Sequence, residues 1–424
     1  MDAVGPNTVR DRERFMSEWS AGPVRPEERI VTLDVLRAFA LLGILVMNMP
    51  FFFSSGWDFT PPHERWPAPH DRAAWWVMDT FFSGKFNSLF AFLFGVGFTI
   101  QLERLMARSD RPLTIYLRRL TVLFLLGVAH GVLLWFGDVL HLYAVLGVAL
   151  VLLRRAPERL IAAVVVFGLL VPSIFAVHQL FTYTPADVQS DRTIVEGMNQ
   201  VVVDAHMRGG YLDVVRANLA HFRLQYTDVR GYLSYPAMLM TILLGFYFGR
   251  RRHLQEAAQH LGWWRRLAAW SFAVGITSAL MFSLAVPYLE PLTPSWLGVA
   301  VTTAYSVQRP ALMLFYASTI VLITHSARWG GVLHWFAPMG RMPLTNYLMQ
   351  SVVCTTLFNA YGFGLYGRVG PAFGMAAAVV IFALQVLWSR WWFTRFQYGP
   401  MEWLWRALTY GRAPALGRAE TAAT

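Results

Sequence analysis

The sequence predicts an all-α fold, a polytopic membrane bundle of about ten transmembrane helices with both termini on the cytosolic side. Three observations lead there. Of 424 residues, 56% are apolar and 14% charged, whereas a soluble domain runs near ~45–50% and ~25%. Hydrophobic runs recur at 33–54, 85–103, 116–136, 139–153, 160–181, 232–249, 265–287, 309–325, 338–360 and 372–394, most of them near the ~20 residues that one crossing needs. With the N-terminus inside, 25 arginines fall in inner segments and 8 in outer ones, the bias that orients a membrane protein. The net charge of +11 is therefore topology, and no nucleic-acid partner is expected.

Taken in order, residues 1–30 form a cytosolic basic tail with five arginines and no apolar core, so they are not a signal peptide. Residues 31–410 form the membrane bundle. Within it, 72–83 (RAAWWVMDTFFS) reads as an amphipathic helix at the outer interface that stops before Gly84. GVGFT at 95–99 supplies small residues for helix packing. The hairpin Gly137-Asp138 puts a capping residue ahead of the next span. Positions 181–231 are the outer loop, the one stretch able to fold outside the bilayer, and 411–424 are a cytosolic tail. The eighth span is expected to start at Arg309, and GPMEWLWRALTY reads as an interfacial helix with a Glu402–Arg406 ion pair. The sole cysteine, Cys354, can form neither an internal disulfide nor a thiolate metal site.

Function is sought in polar groups at membrane depth, where they are costly and face a cavity or a partner. Arg37 and Asn48 stand eleven residues apart in LDVLRAFALLGILVMN; that is three turns plus ~20°, with ~16 Å of rise, so they share a face. Either Arg37 snorkels to pair with Asp34 while Asn48 caps the helix end, or the two line a cavity. Arg119 and His130 repeat the interval in a later span. His130 is either a packing group bonded to a neighbouring helix or a base suited to take a proton from an alcohol or amine. Asp138 either caps its helix or orients His130. Asn346 and Gln350 share a face with Arg341 one turn below, as helix glue or as substrate contacts. Arg309 and Lys85 complete the cations at the membrane edge. His63 and His70 flank PPHERWPAPH, which lacks a recognised ligand spacing, so no metal is expected. GxxxxGK[ST], HExxH and GxSxG are absent, which leaves NTPase, zinc-protease and ordinary hydrolase readings without their motifs.

The segments LDVLRAFALLGILVMN, GKFNSLFAFLFGVGF, RRLTVLFLLGVAHGVLLWFGDVLHLYAVLG, GRMPLTNYLMQSVVCTTLF and FQYGPMEWLWRALTY together resemble the YeiB-like bacterial membrane proteins, a family with a domain of unknown function. The resemblance runs from Arg29 to Arg412 and is weakest over 181–231. That family is in turn similar to the transmembrane acyltransferases, which include bacterial sugar O-acyltransferases and heparan-α-glucosaminide N-acetyltransferase. The resemblance implies a multi-pass protein of the bacterial plasma membrane that meets membrane lipids and a small-molecule substrate. It implies transfer of an acyl group to a sugar, lipid or other small acceptor, with acyl-CoA as co-substrate and no bound cofactor.

Two departures stand out. Asn48 occupies the place where the O-acyltransferase branch carries His, with ten residues between it and the Arg, and looks more like the glucosaminide branch; Ala38 replaces the Gly that usually follows that Arg. The base would then be His130, or His70, whose position ahead of Trp75 and Asp79 resembles the glucosaminide enzyme's catalytic-histidine region. Arg37 and the arginines from Arg104 to Arg119 would hold donor phosphates, Lys85, Arg309 and Arg341 would be further substrate contacts, and Asn48 or Asn346 would donate to the developing oxyanion. The positive-inside rule alone also explains each arginine. From another class, export or transport of a small amphiphile suits the same spans, although halves related by inverted hydropathy are not visible. The sequence carries no signal of oligomeric state.

Overall fold

The computed structural model describes residues 29–227 and 234–417. The tail over 1–28, the boundary between outer loop and sixth run at 228–233 and the final residues 418–424 lie outside the described residues. Among the described residues the regular structure is helical, apart from one isolated bridge between Phe396 and Gly417. The helices are α1 (Val31–Phe53), α2 (Pro69–Val77), α3 (Lys85–Arg108), α4 (Pro112–Leu133), α5 (Leu140–Leu153), α6 (Glu158–Thr182), α7 (Pro185–Met207), α8 (Tyr211–Thr227), α9 (Ser234–Arg250), α10 (Leu261–Ala285), α11 (Trp296–Thr324), α12 (Ala337–Arg341), α13 (Pro343–Phe358), α14 (Pro371–Arg395) and α15 (Pro400–Tyr410).

Among the described residues seven stretches are long and apolar enough to cross a membrane: Val31–Phe53, Pro69–Arg108, Pro112–Leu133, Glu158–Thr182, Ala257–Tyr288, Trp296–Thr324 and Pro371–Arg395. α5, α9 and α13 are apolar but shorter, at 14, 17 and 16 residues. The chain is a multi-pass membrane protein. Its outer helices fit that solvent: α6 and α10 turn Phe167, Leu170, Trp270 and Leu284 outward, apolar surface that suits hydrocarbon rather than water.

α1 is the axis of the bundle. Its Val35, Leu36, Ala40 and Leu41 are fully buried, between α3 and α11 on one side and α13 and α14 on the other. Small residues set the closest crossings. A Cβ on Gly95 of α3 would overlap the Ile242 carbonyl of α9, and one on Gly245 would overlap the Phe92 carbonyl in return, so these two helices touch backbone to backbone. Gly340 of α12 meets the Asp34 carbonyl of α1 in the same way.

Two expectations need correction. The eighth span begins at Trp296 and not at Arg309, because the Ser295 side chain accepts the Gly298 N–H at 3.0 Å and starts the helix a full thirteen residues earlier. Pro310 lies inside that helix, where packed neighbours compensate for its missing donor. Arg309 is therefore mid-helix. Within 181–231 the described residues are also more than a loop, since they hold α7 and α8. Thr184 and Asp187 form a reciprocal capping box at the start of α7. α8 docks on the C-terminal end of α4, where Tyr211 Oη donates to Leu133 O at 3.0 Å and Asn218 Nδ2 to Val132 O at 3.3 Å. These carbonyls belong to the last turn of α4 and have no partner within the helix.

Candidate functional site

The N-terminal ends of α1, α4 and α13, the C-terminal ends of α3 and α14, and one face of α15 enclose a cavity of about 380 Å³. Its lining holds seven arginines, Arg29, Arg37, Arg104, Arg108, Arg119, Arg341 and Arg406, against two acids, Asp34 and Glu402. Deeper walls are aromatic and aliphatic, with Phe90, Phe94, Leu123, Leu140, Tyr143 and Tyr347. Gly97 leaves room beside the Arg37 guanidinium, since a Cβ there would stand 3.6 Å from Nη2.

Asp34 takes up part of the positive charge. Arg37 donates to its Oδ1 at 3.2 Å and Arg29 stands 3.8 Å from its Oδ2. Other guanidinium groups lie on rings: Arg119 is 3.7 Å from the Trp405 centroid, Arg341 3.8 Å from that of Phe393 and Arg406 4.9 Å from that of Tyr398. Stacking uses the face of a guanidinium and leaves its N–H edge able to meet an oxyanion. The expected Glu402–Arg406 pair does not form. Glu402 turns instead to the exposed donors that begin α13, accepting from Leu344 N at 2.7 Å, Thr345 N at 3.2 Å and Thr345 Oγ1 at 2.6 Å. A carboxylate gains more from the orphan donors and dipole of a helix start than from one half-exposed arginine. Burial pushes the Glu402 carboxyl above its ordinary range, and the Thr345 and backbone hydrogen bonds pull it back.

Beyond Tyr347 lies a dry polar cluster. His130 Nδ1 is 2.7 Å from Asp138 Oδ2 and His130 Nε2 is 2.8 Å from Ser351 Oγ. Asp138 Oδ1 accepts from His141 Nδ1 at 2.8 Å and from the His141 backbone N–H at 3.0 Å. All four residues are buried. Burial raises the Asp138 carboxyl, but hydrogen bonds and charge from the two imidazoles outweigh it and hold the group below the usual carboxylate range. An ionised Asp138 can only accept, so both imidazoles carry their proton on Nδ1 and offer Nε2 as a base. Gly127 and Gly131 bracket His130 and make the approach possible: a Cβ on Gly127 would stand 2.8 Å from Asp138 Oδ1, and one on Gly131 would be 3.3 Å from Asp138 Cβ. The His130 ring lies 5.0 Å from that of Tyr347, and α8 closes the far side with Phe222 5.1 Å from His141.

Of the residues singled out in the sequence, His130 and Asp138 meet directly, and Arg37, Arg119 and Arg341 line the cavity. The others lie elsewhere. Asn48 is buried on α1 away from the lining. His70 is on the surface beside Asp71 at 3.5 Å, because α2 opens with Pro69 and turns that side chain outward. Lys85 is fully buried and donates to Asp79 O at 3.0 Å. Arg309 stacks on Tyr305 at 5.3 Å, in the middle of α11. Asn346 acts as helix glue, with Nδ2 donating to Met339 O, Met342 O and Ser389 Oγ. Sequence reasoning missed Ser351, Tyr347 and the part played by His141; their spacing of four along α13 puts Tyr347 and Ser351 on one face, a signal that a search for charged residues passes over. Among the described residues no group of three or more His, Cys, Asp or Glu side chains could hold a metal ion.

Residues 248–412 match a family described as a protein of unknown function, DUF418. Over 408 residues the chain is 34% identical to the uncharacterized protein YxaH of Bacillus subtilis, covering 92% of this chain and 96% of that one. Over 403 residues it is 30% identical to the uncharacterized protein YeiB of Escherichia coli, covering 92% and 99%.

Proposed function

The chain belongs to the YeiB-like DUF418 family, and for this member we propose a membrane-embedded acyltransferase that moves an acyl group from acyl-CoA to a sugar, lipid or other small acceptor. We place it in the inner membrane of a bacterium, with ten spans and both termini cytosolic. The observation that carries the reading is the alignment of an arginine-mouthed cavity with a buried base held by a carboxylate just beyond its inner wall. The arginines suit phosphate groups, and the aromatic walls suit an acyl chain.

His130 takes a proton from the attacking hydroxyl or amine at Nε2, and Asp138 fixes its tautomer and balances the imidazolium that forms. The Asn346 amide already serves three acceptors and is not free to donate to an oxyanion. Purified protein in lipid nanodiscs should release thiol from acyl-CoA, and His130→Ala should lower that rate by roughly 10²–10⁴-fold while the protein remains folded at the assay temperature. Unchanged turnover in the variant would remove His130 from the mechanism. Accumulation of a small amphiphile in vesicles, with no covalent product, would support export instead.

A further inference from the structure

The Ser351 hydroxyl is placed in a way that helix geometry alone does not ask for. Serine and threonine in a helix interior ordinarily return their proton to the carbonyl four residues back. Ser88, Thr241, Ser271, Thr324 and Thr356 all do so here, to Gly84, Ala237, Leu267, Ile320 and Val352. Ser351 instead has its Oγ 2.8 Å from His130 Nε2, while Nδ1 of the same ring is 2.7 Å from Asp138 Oδ2. Because Asp138 fixes the proton on Nδ1, Nε2 holds a lone pair and the serine is the donor. The residue is 2% exposed, so bulk solvent does not reach that hydroxyl.

We propose that Ser351 is the nucleophile of this site and carries the acyl group as an ester between donor and acceptor. The inference rests on the acyltransferase reading above and gives it a two-step course. In the first step Ser351 Oγ attacks the thioester carbonyl and its proton passes to His130 Nε2. The C–S bond breaks, and the departing sulfur takes that proton to leave as free thiol. In the second step the acceptor's hydroxyl or amine gives its proton to Nε2 and attacks the ester. The bond from the acyl carbon to Oγ breaks, and Oγ recovers the proton. α13 connects this chemistry to the cavity, since Leu344 and Tyr347 line it and Ser351 lies one turn beyond Tyr347. The Tyr347 hydroxyl meets Gly137 O at 3.5 Å and the Val139 backbone, and its ring packs with Leu123 and Leu140, so that ring has to turn aside before a donor in the cavity reaches Ser351. With α8 closing the far side of the cluster, an ester intermediate lets donor and acceptor use the site in turn.

The test needs no knowledge of the acceptor. Full-length protein in nanodiscs is mixed rapidly with acetyl-, octanoyl- and palmitoyl-CoA, without acceptor, and free thiol is followed. A burst stoichiometric with the protein is expected from at least one donor, together with a hydroxylamine-labile acyl adduct on the peptide bearing Ser351. Ser351→Ala should lose the adduct and slow the burst at least about 100-fold. Ser351→Cys, close in size, should keep a burst and carry its adduct as a thioester, which separates chemistry from misfolding. An adduct on another residue, or full-rate transfer by Ser351→Ala, overturns the serine ester and leaves the acyltransferase reading intact. Absence of thiol release from all three donors in the wild-type protein overturns both.

Discussion

The cavity and the cluster behind it are neighbours built on opposite electrostatic plans. The cavity gathers seven arginines around two acids and stacks several of them on rings, so its lining is strongly positive. The cluster gathers one carboxylate, two imidazoles and one hydroxyl, and satisfies nearly all of them internally; the exception among the described residues is His141 Nε2. On the proposed reading, the first region binds the donor and the second holds a proton in a fixed place. The difference teaches that charge density marks where a ligand is held, whereas mutual satisfaction in a dry interior marks where geometry matters most.

Separate damage to each region sharpens the contrast. The largest effect is expected from Asp138→Asn, which keeps the shape but no longer dictates the His130 tautomer. Turnover of acyl-CoA should fall on the order of 10²–10⁴-fold with KM within about twofold of wild type. Arg119→Gln and Arg341→Gln should each raise KM roughly tenfold, the worth of one charge-assisted hydrogen bond, with little change in kcat. Wild-type KM should also climb with added salt as the arginine field is screened. Steady-state kinetics across a salt series checks both, and a kcat loss in the arginine variants as deep as that of Asp138→Asn would erase the division.

Smaller effects probe the frames around the two regions. Glu402→Ala leaves the first N–H groups of α13 without their acceptor and should cost about 1–3 kcal/mol, seen as a lower thermal unfolding midpoint. In α8, burial lowers the His221 imidazole to about 4, and Trp57 Nε1 donates to its Nδ1 at 3.3 Å. A histidine whose folded value lies below its unfolded ~6.5 folds neutral. Its contribution is therefore intact above pH ~6.5 and is lost progressively as pH falls toward about 4. Amide exchange in α8, corrected for intrinsic rates, should quicken through that window, and His221→Gln should flatten the change.

The helices were legible because apolar runs and arginine asymmetry are strong one-dimensional signals. His130 and Asp138 stood out for the same reason, as polar groups where lipid or a tight hairpin was expected. Arg309 was misplaced because the proline after it looks like a boundary, while the Ser295 cap upstream carries little weight in an apolar context. Ser351 was invisible for a different reason. A small hydroxyl in a helix has no period and usually bonds its own backbone, so only the three-dimensional meeting of α4, α5 and α13 reveals its direction. The pairing of Arg119 with Trp405 spans 286 residues of sequence, and no local pattern announces it.

That pairing has an optical consequence. Trp405 covers the Arg119 guanidinium with its ring and donates Nε1–H to the Arg119 carbonyl at 3.0 Å, so the indole senses both the charge and the backbone at the mouth. An anion that draws Arg119 away from the ring changes the local field at that chromophore. The chain holds 17 tryptophans, so the emission that Trp405→Phe removes isolates this indole, and the position of that difference spectrum becomes a built-in gauge of occupancy for protein in nanodiscs without any attached dye.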